Sequence, residues 1–75
     1  MTTLAIINDL GHQEQVAISE DQAWALAQLC KRIGFTDCRN NAVSQEEAYL
    51  MIDATTLVGR VLADAGYSSA MMYCP

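Results

Sequence analysis

The stretch Val16-Ala17-Ile18-Ser19-Glu20-Asp21-Gln22-Ala23-Trp24 decides the fold, because one periodicity ends within it and another begins. From Gln13 to Ser19, Val16 and Ile18 recur at the two-residue spacing that places apolar side chains on one face of a strand. Ser19, followed by Glu20, Asp21 and Gln22, is then a Ser-x-x-Gln capping box with two acids in the first turn, where the helix dipole favours negative charge. A strand hands over to a helix at Ser19.

Upstream, Thr2-Thr3-Leu4-Ala5-Ile6-Ile7 shows the same alternation, with Leu4 and Ile6 on one face. Asn8-Asp9-Leu10-Gly11-His12 lies between the two runs and supplies turn formers, so the pair is an antiparallel hairpin. Downstream, the first helix covers Glu20 to Ile33, with Lys31 and Arg32 in its last turn and Gly34 as its C-terminal cap. Phe35 to Val43 holds Asp37, Asn40 and Asn41 and reads as a loop with room for one helical turn. Ser44-Gln45-Glu46-Glu47 is a second capping box, and it opens a helix of about 20 residues, near 30 Å, that runs to Ala65 and stops at Gly66. The predicted fold class is α+β: a single ββαα domain, an N-terminal β-hairpin followed by two α-helices, over residues 1–67, with a C-terminal tail over residues 68–75.

Composition sets what such a domain can do. A chain of 75 residues supports one core and buries about 62% of its unfolded surface. Apolar residues make up 52% and charged residues 17%, against about 25% charged in an average soluble domain. Apolar surface is therefore left over, for a partner or a second copy. The net charge of −5 repels phosphates and argues against direct nucleic acid binding, while an acidic surface suits a basic surface on another protein.

Cys30, Cys38 and Cys74 are odd in number and form no C-x-x-C, which points to reduced thiols in a cytoplasmic protein. A metal site would have to gather them around His12, and the spacing does not favour it. No metal or cofactor is expected. No apolar run reaches 18 residues and no signal peptide is present, so no membrane role is expected. Gly-rich phosphate loops, G-x-S-x-G and H-E-x-x-H are missing. Cys38 beside Arg39 reads as an exposed, incidental thiol, so no residue is assigned a catalytic role and the chain is not expected to be an enzyme.

Helical faces locate the candidate contacts. On the first helix Leu26, Leu29, Cys30 and Ile33 form the predicted core face, with Ala23 at its margin, whereas Trp24 falls on the opposite side. Either the segment from Tyr67 to Tyr73 covers Trp24, or the indole anchors an interface. On the second helix Leu50, Met51, Ala54, Leu57, Val58, Val61, Leu62 and Ala65 span more than about 120°. A flanking seam of mostly small residues, Ala48, Ile52, Thr55, Gly59 and Ala63, calls for close packing, since a mid-helix glycine costs about 1 kcal/mol relative to alanine. The body packed there is either this chain or a second copy.

The run Asp21-Gln22-Ala23-Trp24-Ala25-Leu26-Ala27-Gln28-Leu29-Cys30-Lys31-Arg32-Ile33-Gly34-Phe35, with Glu46-Glu47-Ala48-Tyr49 and Ala63-Asp64-Ala65-Gly66-Tyr67, resembles a family of short uncharacterised proteins carried by bacterial plasmids, integrative elements and prophages. The likeness covers about residues 15–67 and brings no catalytic residues with it. Small acidic proteins of such elements include anti-CRISPR proteins, which this chain is similar to in size and charge. The resemblance implies a non-enzymatic protein-binding module, an anti-CRISPR or other anti-defence inhibitor whose partner is a host defence protein with a basic surface. Trp24, Glu20, Asp21, Glu46 and Asp53 are the candidate contact residues. The alternative is a homodimeric accessory or regulatory protein of the element, self-associating through Ala48, Ile52, Thr55 and Gly59 and through the hairpin edge.

Overall fold

At Ser19 the backbone is extended and the side chain closes the expected box. Its hydroxyl accepts the Gln22 N–H at 3.0 Å, and the Gln22 carboxamide oxygen accepts the Ser19 N–H at 2.8 Å. The computed structural model describes residues 1–67; the expected tail lies outside the described residues. In chain order the elements are β1 (Thr2–Ile7), β2 (Gln13–Ile18), α1 (Glu20–Arg32), α2 (Phe35–Asn41) and α3 (Gln45–Asp64).

The strands pair antiparallel, with Thr2 opposite Ile18, Leu4 opposite Val16 and Ile6 opposite Glu14. Register follows from the turn, where the Asn8 side-chain oxygen accepts the N–H groups of Leu10 and His12 at 2.9 and 3.0 Å. Leu4, Ile6, Val16 and Ile18 consequently share one face of the sheet.

Among the described residues the fold has three helices rather than two, because α2 forms where a loop was expected. Its residues are indifferent helix formers, so its stability is tertiary. Cys38 is buried, and Phe35 packs on Tyr49 of α3 with ring centroids 4.9 Å apart. Asp37 accepts the Gly34 N–H at 3.0 Å and Asn41 donates to the Asp37 carbonyl at 2.8 Å, so side chains of the short helix bond to one backbone group near each end. Two readings change with it. Gly34 adopts an extended conformation and leads into α2 instead of capping α1 with a left-handed turn. Cys38 is enclosed, not an exposed thiol.

Helices α1 and α2 both pack on α3, and the closest approach is between small residues. Ala23 and Ala48 are fully buried and Ala27 nearly so. A Cβ placed on Gly59 would lie 3.2 Å from the Cys30 Cβ, so the missing side chain is what lets the two backbones come together. This contact rotates α1 away from its expected orientation. Ala23 and Ala27 are buried and Leu26, Cys30 and Ile33 half-buried, as a core face centred nearer the alanines, while Leu29, expected inside, is exposed.

At the other end, Gly66 has φ 104°, a left-handed conformation that ends α3. The Tyr67 N–H returns to the Leu62 carbonyl at 2.9 Å and the Gly66 N–H to Ala63 at 3.0 Å. That double closure fixes where Tyr67 points. At the start of α3, the Ser44 hydroxyl accepts the Glu47 N–H at 3.1 Å, and Glu47 reaches the N–H of Val43 at 2.8 Å, one residue before the cap.

Candidate interaction surface

Tyr67 joins three parts of the chain. Its hydroxyl donates to both carboxylate oxygens of Glu20, at 2.9 and 3.0 Å, and also meets the Thr2 hydroxyl. Its ring stands edge-on to Trp24, with centroids 5.5 Å apart and planes at 83°, the arrangement in which a positive ring edge meets a negative ring face. Thr2 begins β1, Glu20 and Trp24 lie in the first turns of α1, and Tyr67 follows α3. The hairpin is thereby clasped to the helices at its open end.

Glu20 is tuned by that clasp. The Tyr67 hydrogen bond first, and then the amine of Met1 at 3.3 Å, hold its carboxyl below the ordinary carboxylate value. Hydrogen bonds to the ionised form favour it, which is the physical cause.

Beyond the clasp, the hairpin overhangs. Thr2, Leu4 and Ile6 share one face, so the face that meets Tyr67 at its inner end continues outward as an apolar strip. Leu4 and Ile18 are half-buried, but Ile6 is 74% and Val16 57% exposed. Both sheet edges are open among the described residues, since the sheet has two strands.

The expected contact residues divide into two groups. Glu20 and Trp24 come together at Tyr67, with Asp21 exposed beside them in the same helical turn. Trp24 stays 38% exposed, so Tyr67 covers one side of it. Glu46 and Asp53 lie apart from these, exposed on α3; Glu46 shares a shallow hollow with Gln45 and Tyr49. The small seam is occupied within the chain. Ala48 is fully enclosed, Gly59 abuts Cys30, and Ile52 and Thr55 are half-buried.

Three large apolar residues of α3 are on its other side. Leu50 is 68%, Leu57 57% and Val61 66% exposed. A depression of about 330 Å³ between α2 and α3 adjoins this side at Ala54, and its lining includes Asp37, Cys38, Met51 and Thr55. What the sequence did not reveal is the tie between Glu20 and Tyr67, 47 positions apart, for which no local signal exists.

Among the described residues there is no cluster of three or more metal-ligating side chains. His12 pairs with Glu14 at 2.9 Å on the exposed hairpin. No helix among the described residues is long and apolar enough to cross a membrane.

The chain belongs to a family of unknown function, DUF7706, whose profile matches residues 1–69. No curated protein and no solved structure matches it. Membership of a family of uncharacterised short proteins is thus found, and the match covers the hairpin as well as the helices.

Proposed function

For a member of a family without an assigned function, we propose a non-enzymatic module that binds another protein through the overhanging hairpin and the acid-flanked indole of Trp24. One observation carries this reading. Ile6 and Val16 stand open on the apolar face of a sheet with only two strands. A two-stranded sheet is marginal by itself and has unpaired edges, so a partner that covers the face or extends an edge completes it.

The chemistry of the partner follows from the surroundings. Asp9 and Glu14 are exposed on the hairpin and Asp21 beside Trp24, and the whole chain carries a net charge of −5. A basic surface with an apolar centre is complementary to this arrangement. In its finer form the proposal is that of a mobile element's inhibitor, of anti-CRISPR or other anti-defence type, acting on a host defence protein whose basic surface ordinarily holds nucleic acid. Size, acidity and the open hairpin support that form.

Titration of purified CRISPR effector complexes with the full chain, with nuclease activity as a second readout, tests it. Binding should weaken as salt rises. Ile6→Asp and Trp24→Ala should each reduce affinity by about tenfold or more, as anchor residues do, and Asp21→Lys by less. If the chain binds and all three variants bind equally well, the surface is misassigned. If no defence complex is bound or inhibited, the anti-defence form fails.

A further inference from the structure

We propose that the outer face of α3 is occupied by a second copy of this chain, as an antiparallel pair of α3 helices across a two-fold axis. The inference uses residues distinct from the hairpin surface and does not depend on it.

The spacing of the exposed apolar residues carries the first step. Leu50, Ala54, Leu57 and Val61 are all exposed and follow one another at intervals of four, three and four, the alternation of the d and a positions of a heptad. Ala48, Thr55 and Leu62, which face α1 and α2 or lie buried, recur at seven on the opposite side. One face of α3 is therefore filled by the chain's own core, and the other has the pattern of a helix–helix seam.

Self-complementarity carries the second step. In an antiparallel pair, a positions meet d positions, so Leu50 packs on Val61 of the second copy and Ala54 on Leu57 of the second copy. Each small residue then faces a large one.

The flanking positions agree with this register alone. On one flank, g meets g, which places Asp53 against Arg60 of the second copy and, by symmetry, Arg60 against its Asp53. Both are exposed and neither forms an ion pair among the described residues. On the other flank, e meets e, and Met51 lies against Val58 of the second copy. A parallel pair would instead set Asp53 against Val58, a carboxylate against an isopropyl group. The seam ends at Glu47 and Asp64, acids that would stand opposite one another and limit it to four layers.

The area is sufficient for a small interface. Leu50, Leu57, Val58 and Val61 are between 42% and 68% exposed, and a specific contact has to bury about 1,000 Å² in total, which a four-layer seam approaches only at its lower bound. Association should accordingly be weak and concentration-dependent. A two-fold contact uses the same patch on both copies and closes on itself, which keeps the assembly a dimer.

Sedimentation equilibrium on the full chain with reductant present, from about 10 µM to 1 mM to bracket a weak contact, tests the proposal. A monomer–dimer equilibrium is expected. Leu57→Asp should weaken it by about a hundredfold, because the residue enters the seam twice. Asp53→Arg and Arg60→Asp should each weaken it by about tenfold, by turning two attractions into repulsions. An equimolar mixture of these two single variants should recover the dimer, since in the mixed pair every position 53 faces an opposite charge at position 60. All three substitutions are at exposed positions, and circular dichroism checks that the fold persists. A monomer throughout the range, a dimer that Leu57→Asp leaves intact, or a mixture no tighter than its components would each overturn the proposal.

Discussion

The two faces of α3 differ in a way that hydrophobicity alone would invert. The inner face buries Ala48 and brings Gly59 against Cys30, while the outer face leaves Leu50, Leu57 and Val61 in the open. Small residues are inside because two backbones can approach closely only where side chains are short, and a close approach recovers dispersion contacts that a bulky pair would hold apart. The larger side chains are then excluded from a core already filled. Burial in a domain of this size follows fit, and the apolar area left over is what gives the molecule a surface to bind with.

Leu62 offers the strongest way to break this comparison, because it is a large side chain of α3 that is nearly inaccessible. Leu62→Ala should cost about 2 to 5 kcal/mol, the range for emptying a packed site. The same truncation at Leu57, on the outer face, should change the stability of dilute protein by less than about 0.5 kcal/mol, as surface changes do. Urea denaturation of both variants at low concentration gives the comparison directly. Equal losses would mean that the outer face is packed in the monomer.

Gly59 sharpens the inner face. A leucine there has no room, since even its Cβ would lie 3.2 Å from the Cys30 Cβ. Gly59→Leu should therefore cost about 1 to 3 kcal/mol by overpacking, measurable as a lower midpoint in the same titration. Gly59→Ala is more finely balanced. It gains about 1 kcal/mol of helix propensity but requires Cys30, whose Cβ would be 3.2 Å away, to give by a few tenths of an ångström. A clear stabilisation by alanine would show that the helices can separate at little cost.

The elements that could be read from the sequence are those with local signals. Ser19 and Ser44 mark helix starts through bonds that span three residues, and the Asn8 turn sets the hairpin through bonds of two and four. α2 carries no such signal strong enough to outweigh its asparagines, and it forms because Cys38 and Phe35 find contacts on α3. The orientation of α1 was hidden for a related reason. A wheel weighted by hydrophobicity centres on Leu26 and Leu29, yet the most buried residues of the helix are Ala23 and Ala27, and Gly59 of α3 meets it at Cys30. Of the candidate contact residues, Trp24 was identifiable as an indole on a polar face, whereas its association with Glu20 depends on Tyr67, which only the folded chain brings near.

That clasp gives the smallest expected effect, and one that pH can isolate. Folding lowers the Glu20 pKa below its ordinary value of 4.5, with Tyr67 as the leading cause. The unfolded chain therefore takes up the proton first as acid is added. The contribution to stability is complete above about pH 4.5 and is lost as the pH falls through the lowered value, so stability should drop on the acid side. Tyr67→Phe removes the donor but keeps the ring against Trp24, and it should flatten part of that acid dependence while leaving the near-ultraviolet signal of the indole in place. Identical acid profiles for the two chains would mean that the hairpin is tethered without help from Glu20, leaving the edge contact of Tyr67 with Trp24 as the tie between the overhanging hairpin and the helices.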